Sequence, residues 1–190
     1  MVAPDLLGKV LLRRAEGSLR AGRIVEVEAY LGAGDAAAHA AAGETARNQV
    51  LFGPPGHAYV YFTYGMHYCL NVSCMPKGDA GCVLIRALEP LTGIEAMKHA
   101  RKFKGGDVQA RAGLHSIASG PARLCEAMEI TRARDNGKDL TSPRSDLWIA
   151  DNGYLPASII RTPRIGITKS VEMPLRYFIA GNEYVSGRRS

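Results

Sequence analysis

The chain has 190 residues, of which 46% are hydrophobic and 22% charged, a length and composition typical of one soluble globular domain with a sizeable core. Because no apolar run approaches the ~18 residues of a membrane span, and because the four cysteines lack CxxC or metal-ligand spacing, we expect an intracellular protein with free thiols, no membrane association and no bound metal. The net charge of +6 comes entirely from residues after position 100, which is compatible with a phosphate-facing surface, although many basic proteins bind no nucleic acid.

The first ninety residues predict mainly β-strands. Residues 6–13 form a strand pattern that leads to a turn around Gly17, and residues 22–30 alternate as a clear second strand. The Gly- and Ala-rich connection 31–48 follows, and Asp35 could cap a short helix within it.

A β-hairpin is predicted next. Residues 57–64 and 66–75 give two strand patterns separated by Gly65, which places the tight corner at Tyr64 and Gly65. Residues 82–88 predict a further strand.

Helices are predicted mainly in the second half. Thr92 and Glu95 fit a capping box that opens a helix to about Phe103, and Ser119 is the expected cap of a helix with Pro121 in its first turn. Short late strands are predicted within residues 143–151, 159–167 and 175–179.

These elements predict an α/β protein of the α+β type. We expect a single domain over residues 1–190, with a mixed, largely antiparallel sheet, peripheral helices and a protruding β-hairpin. The regular βαβ alternation of a doubly wound fold is absent.

Two carboxylates and one arginine are the first candidates for chemistry. Glu26 and Glu28 share a strand face opposite two valines, so we expect the valines to face the core and the carboxylates to face a cleft or water. A carboxylate in a partly apolar cleft can deprotonate water; the alternative is a solvated strand face. Arg86 lies on an otherwise apolar face and, if buried, needs Glu28 or Glu26 as a partner; otherwise it reaches solvent from an edge strand.

Four of the eight tyrosines lie between positions 59 and 68. Such rings beside a carboxylate suit a flat, electron-poor group, and in a basic protein the natural flat group is a nucleobase; ordinary aromatic packing is the alternative. Tyr64, at the hairpin corner, could enter a duplex as a wedge. Asn71, an amide in mid-strand, indicates a specific hydrogen bond, either functional or structural.

Together these residues resemble the alkyladenine DNA glycosylase family, also called the 3-methyladenine or methylpurine DNA glycosylases. The resemblance covers almost the whole chain, and several blocks in order are far more specific than any one of them. The specific segments are residues 22–30, 35–39, 45–48, 59–71, 83–90 and 119–124.

The resemblance implies a role for each candidate residue. Glu28 resembles the general base that activates water, and Arg86 resembles its partner in holding the carboxylate and the water. The remaining implied site residues are the base-pocket walls Tyr30, His39 and Tyr61, the purine-screening Asn71, and the wedge Tyr64.

The implied activity is monofunctional base-excision repair. The enzyme would flip alkylated or deaminated purines (3-methyladenine, 7-methylguanine, hypoxanthine, ethenoadenine) out of duplex DNA and hydrolyse the N-glycosidic bond, leaving an abasic site. No cofactor is implied, damaged double-stranded DNA is the expected partner, and a monomer is expected. The main alternative is a non-enzymatic nucleic-acid-binding module, in which Glu28 would have no use because a carboxylate repels phosphate. A hydrolase of free nucleosides is a second alternative, and its activity would show little salt dependence.

Overall fold

In the computed structural model of the protein, which describes residues 2–63, 65–102 and 111–187, an eight-stranded sheet carries most of the structure. The strands are β1 (Val10–Ala15), β2 (Ser18–Tyr30), β3 (Ala58–Thr63), β4 (His67–Ser73), β5 (Cys82–Thr92), β6 (Leu147–Ala150), β7 (Ile159–Thr162) and β8 (Arg176–Ile179). The helices are α1 (Val2–Asp5), α2 (Ile94–Ala100), α3 (Arg111–Ala118), α4 (Pro121–Ala127) and α5 (Arg132–Asp135), and Gln49–Phe52 form a 3-10 helix. The predicted α+β class and single domain are confirmed.

Strand β2 organises the sheet. The main path runs β3-β4-β5-β2-β1-β6, and the strand pairings among the described residues are antiparallel. The first part of β2 pairs with β1, and residues 26–28 pair with β8, while β5 lies along the other edge. The middle of β2 is therefore enclosed by strands on both sides.

Both faces of β2 are buried. Val25 and Val27 join the hydrophobic core, as expected, but the side chains of Glu26 and Glu28 also have no exposed surface. The expectation that this second face opens to water, and the alternative of a solvated strand face, are therefore wrong. The chain after β7 covers it, and the covering residues donate hydrogen bonds to both carboxylates.

The predicted turns of the first half are confirmed. β1 and β2 form a hairpin whose loop is Glu16 and Gly17, both with positive φ (48° and 73°), the geometry that favours glycine in a two-residue hairpin. β3 and β4 pair from Ala58 opposite Val72 to Thr63 opposite His67. The predicted wedge, Tyr64, lies outside the described residues.

The expected helix at Asp35 is absent, and residues 31–48 consist of turns and bends. The Asp35 carboxylate accepts hydrogen bonds from the backbone N–H groups of Leu31 and Ala37 and pairs with Arg164. The side chain that was expected to cap a helix thus holds a folded loop.

Two other helix starts differ from the prediction. Thr92 is the last residue of β5, so it cannot cap α2. Gly93 takes the cap position with φ 72°, where an added Cβ would lie 2.5 Å from the Leu19 carbonyl oxygen. At α4, Gly120 precedes Pro121 as the cap. Ser119 instead forms a bridge with β5.

Several elements have bounds that differ from the predicted ones. Residues 6–9 form turns rather than the start of β1, and the strand predicted at 159–167 stops at Thr162. The predicted end of α2, Phe103, lies outside the described residues. Among the described residues, no helix is long and apolar enough to cross a membrane.

Candidate active site

A cavity of about 360 Å³ opens beside the end of β2. Its walls come from the loop 31–48, strands β2 to β5 and the irregular segment 163–170. Most of the residues that the sequence singled out line this space. They are Tyr30, His39, Tyr61, Asn71 and Arg86.

Glu28 lies directly behind the cavity wall rather than on its surface. One carboxylate oxygen, Oε1, accepts a hydrogen bond from the backbone N–H of Ile165 at 2.8 Å and pairs with Arg86 NH1 at 3.1 Å. The other oxygen, Oε2, accepts a hydrogen bond from the Tyr30 hydroxyl at 3.0 Å. All three donor residues line the cavity, so the carboxylate is in direct contact with residues of the cavity wall.

The Tyr30 phenol keeps its proton. Burial, followed by the negative charge of Glu28, raises the pKa of Tyr30 far above its usual value. The hydroxyl therefore donates to the carboxylate across the whole physiological pH range.

A second carboxylate anchors the arginine. Glu26 Oε1 accepts from Arg86 Nε at 3.0 Å and from Arg176 Nε at 2.7 Å. Glu26 Oε2 accepts from the backbone N–H of Ser186 at 2.6 Å. Arg86 thus pairs with both candidates named from the sequence, and with 8% exposed surface it is not a solvent-facing edge residue.

The sequence interpretation missed Arg176, Ser186 and Ile165. A signal existed for Arg176, because two buried carboxylates on one strand need more than one cation for charge balance. Ser186 and Ile165 act on the carboxylates through backbone N–H groups, and every residue except proline carries such a group. No sequence signal could have identified them.

Three aromatic rings form one wall of the cavity. The His39 and Tyr61 rings meet edge to face with centroids 4.4 Å apart, and Tyr59 lies 5.7 Å from Tyr61. His39 Nδ1 shares a hydrogen bond of 3.0 Å with the Tyr59 hydroxyl, and its carbonyl accepts from the Asn48 amide. The imidazole is therefore fixed both through its ring and through its backbone.

The imidazole is neutral at physiological pH. Loss of hydration where it packs against the tyrosines, followed by the positive charge of Arg47, lowers the pKa of His39 below its ordinary value. A neutral ring beside the cavity suits aromatic contact with a flat ligand of either charge.

Asn71 is almost fully buried, and its amide orientation is fixed. The Nδ2 group donates to the Tyr59 carbonyl oxygen at 3.1 Å, while Oδ1 lies 3.7 Å from the Cys82 sulfur. Burial raises the pKa of the Cys82 thiol, so the sulfur keeps its proton and can donate weakly. The mid-strand amide makes a structural hydrogen bond and also lines the cavity.

The end of β3 that leads into the hairpin corner reaches the cavity. Thr63 lines the cavity, and on the other side of the corner Met66 is 69% exposed. Position 64 lies between them, outside the described residues. Among the residues that the structure describes, no group of three or more His, Cys, Asp or Glu side chains could hold a metal ion.

Comparison with known proteins gives a consistent result. A sequence profile of the family described as methylpurine-DNA glycosylase matches residues 1–183. The chain is 60% identical over 189 residues to a Koribacter versatilis protein provisionally named a 3-methyladenine DNA glycosylase, covering 100% of this chain and 88% of that protein. A Burkholderia cenocepacia protein with the same provisional name is 52% identical over 187 residues, with 98% and 85% covered. A third so named, from Methanoculleus marisnigri, is 45% identical over 196 residues, with 98% and 93% covered.

Proposed function

The chain belongs to the methylpurine-DNA glycosylase family, and from this premise we propose that it excises damaged purines from duplex DNA with Glu28 as the general base. Family membership makes it a DNA glycosylase that acts on methylated purines. We extend the substrates to 3-methyladenine, 7-methylguanine, hypoxanthine and ethenoadenine. The partner is duplex DNA inside the cell, and a single glycosylase domain over residues 1–190 works as a monomer.

The observation that carries this proposal is the position of the Glu28 carboxylate at the back of an aromatic cavity. An ionised carboxylate has about four acceptor sites, and the described residues occupy three of them. The remaining site is on Oε2, beside the Tyr30 hydroxyl. A water molecule between this oxygen and the sugar of a flipped nucleotide would donate a proton to Oε2 and attack the anomeric carbon.

Base extrusion and stacking provide the binding energy. In this proposal Tyr30 and Tyr61 stack on the flipped purine, and His39 contacts its edge. Each base–aromatic stack is worth roughly 1–3 kcal/mol, which is comparable to the few kcal/mol needed to unstack a base. Tyr64 at the hairpin corner fills the gap left in the duplex, and Asn71 screens purines by their exocyclic groups.

Bond cleavage needs little further chemistry for a cationic purine, which is a good leaving group. As the glycosidic bond breaks, positive charge develops on the sugar, and the Glu28 carboxylate stabilises this charge at close range. Arg86 holds the carboxylate in position. No lysine is among the described residues that line the cavity, so the proposal has water rather than an amine as the nucleophile. The product is an intact strand with an abasic site.

The decisive experiment compares wild type with Glu28→Gln on labelled duplexes that carry hypoxanthine or ethenoadenine, and on methylated DNA assayed for free 3-methyladenine. The glutamine is isosteric but cannot accept the proton, so we expect single-turnover rates to fall by about 10²–10⁴-fold while duplex affinity stays near that of wild type. Glu16→Gln, at the exposed β1–β2 turn, is the matched control and should retain the full rate.

Two results would contradict the proposal. Near-normal excision by Glu28→Gln would remove Glu28 from the role of general base. If folded wild-type protein bound DNA but released no base from any substrate, the protein would be a binding module and Glu28 a structural residue.

A further inference from the structure

We propose that Arg164, held in place by Asp35, is a specificity-determining residue that limits the preference of the cavity for positively charged purines. This inference rests on the proposed function, because it concerns how the same cavity ranks its substrates. It assigns a role to a buried ion pair that neither touches the substrate nor supplies a reacting group.

Arg164 holds the segment 163–170, part of which lines the cavity, against Asp35 in the loop 31–48. Within residues 163–170, all of them described, it is the one buried residue. Its guanidinium makes two parallel hydrogen bonds to Asp35, at 2.6 and 2.8 Å, and a third to the Ala29 carbonyl at 3.0 Å. Neither side chain of the pair has exposed surface.

The same guanidinium covers one face of the Tyr30 ring. Its central carbon lies 4.6 Å from the ring centroid. Tyr30 lines the cavity, whereas Arg164 is not among the lining residues. In the proposed arrangement the arginine contacts the side of the ring that faces away from the cavity, and the ring separates a fixed positive charge from the space proposed for the base.

This arrangement has an electrostatic consequence for the base. Cation–π attraction normally gives a positively charged ligand roughly a twofold to thirtyfold advantage on an aromatic face. The guanidinium on one face of the Tyr30 ring weakens the attraction of that ring for a second cation. It also repels a cationic base stacked on the other face. A base stacked at about 3.5 Å from the ring would lie about 8 Å from the guanidinium, where an unpaired charge would disfavour a cation about thirtyfold at an effective dielectric constant near 20.

Asp35 moderates this repulsion, and the pair is firmly ionised. Burial alone would lower the pKa of the Arg164 guanidinium, but the hydrogen bonds and charge of Asp35 outweigh it and raise the pKa. Asp35 in turn receives two backbone N–H groups. The wild-type cavity therefore faces a partly neutralised cation behind Tyr30, which lets neutral lesions compete with cationic ones.

The pair gives a test in which the sign of the effect distinguishes electrostatics from packing. We would measure the ratio of single-turnover excision rates for cationic 7-methylguanine and neutral ethenoadenine in the same duplex. Arg164→Met removes the cation and should raise this ratio by about threefold to thirtyfold. Asp35→Asn leaves the cation unneutralised and should lower the ratio. If the variants only lost packing, excision of both substrates would slow together. Any change in the rate ratio would then have the same sign in both variants.

Two further variants make the result decisive. Arg161→Met removes an arginine from the same region that lies over Tyr177, outside the cavity, and should leave the ratio unchanged. The double variant Asp35→Asn/Arg164→Met removes both buried charges, so it tests the proposal if a single variant fails to fold, with a ratio above wild type expected.

Each outcome separates this inference from the proposed function. Wild-type activity with an unchanged ratio in the folded variants, or with both single variants shifted in the same direction, overturns the inference alone. Absence of wild-type release from both substrates overturns the proposed function and this inference with it.

Discussion

Replacing Arg86 with methionine removes a cation that the two buried carboxylates share. Arg86 donates through Nε to Glu26, pairs through NH1 with Glu28, and donates through NH2 to the Ser186 hydroxyl, at 3.0, 3.1 and 3.3 Å. Methionine preserves much of the aliphatic stem but none of these contacts. Glu26 would keep Arg176 as a partner, whereas Glu28 would retain, among the described residues, its two neutral donors.

The cost follows from the burial of the site. Removing one partner of a buried, hydrogen-bonded ion pair destabilises a protein by about 3–5 kcal/mol, because an uncompensated charge is left behind. Typical domains are stable by only about 5–15 kcal/mol, so the variant should fold but unfold at much lower urea concentration. Lysine at position 86 can place its single ammonium near one carboxylate only, so Arg86→Lys should recover part of the loss.

The assay combines urea denaturation with single-turnover excision at a temperature where every variant is folded. We expect Arg86→Met to lose about 3–5 kcal/mol of unfolding free energy and at least about 10²-fold in rate, because the general base is no longer held in place. Arg14→Met is the control: Arg14 is exposed and covers the Trp148 ring, so its loss should cost about 1 kcal/mol or less and leave the rate intact. If Arg86→Met is as stable as this control, the shared-cation reasoning is refuted.

Three further predictions concern individual side chains. Tyr30→Phe keeps the stacking ring but loses the hydrogen bond to the carboxylate, so the excision rate should fall about 5- to 30-fold with little change in KM, a cost of roughly 1–2 kcal/mol; an unchanged rate would show that this bond is dispensable. Burial alone would raise the pKa of Asp135, but hydrogen bonds from Arg13 and Lys138 outweigh it and lower the pKa. The contribution of ionised Asp135 to the free energy of unfolding should therefore be complete above about pH 4 and disappear as the pH falls further. Urea midpoints of wild type should drop below that pH, and those of Asp135→Asn should drop less. Tyr64→Ala should slow excision from duplex DNA more than from single strands, and equal losses on both would remove the wedge from the mechanism.

The sequence predicted the local frame of the site well. The alternating strand at residues 22–30 and the hairpin around Gly65 depend on period-2 patterning and turn residues, which are local signals. These elements carry Glu28, Tyr30, Tyr61 and Asn71. The family resemblance then connected them with His39 and Arg86, which lie on other parts of the chain.

The sequence did not predict that distant parts of the chain cover the strand that carries Glu26 and Glu28. Patterning treated Glu26 and Glu28 as the polar side of a half-exposed strand, because charged residues are rarely buried unless they are paired. Apart from Tyr30 on the same strand, their partners come from residues 86, 165, 176 and 186, and the contacts at 165 and 186 use backbone N–H groups. The Asp35 prediction failed for the same reason, since an arginine 129 positions away replaced a local helix cap.

Glu26 and Glu28 lie two residues apart, yet we propose only Glu28 for the chemistry. Each accepts three contacts from the described residues, so the number of donors does not distinguish them. The difference is where the donors lie. All three partners of Glu28 line the cavity, whereas two of the three partners of Glu26, Arg176 and Ser186, do not. A small movement of the Tyr30 ring on base stacking would open the free site on Glu28 Oε2 to water, while Glu26 would remain enclosed. In this proposal Glu26 fixes Arg86, and Arg86 in turn positions the carboxylate that reaches the substrate.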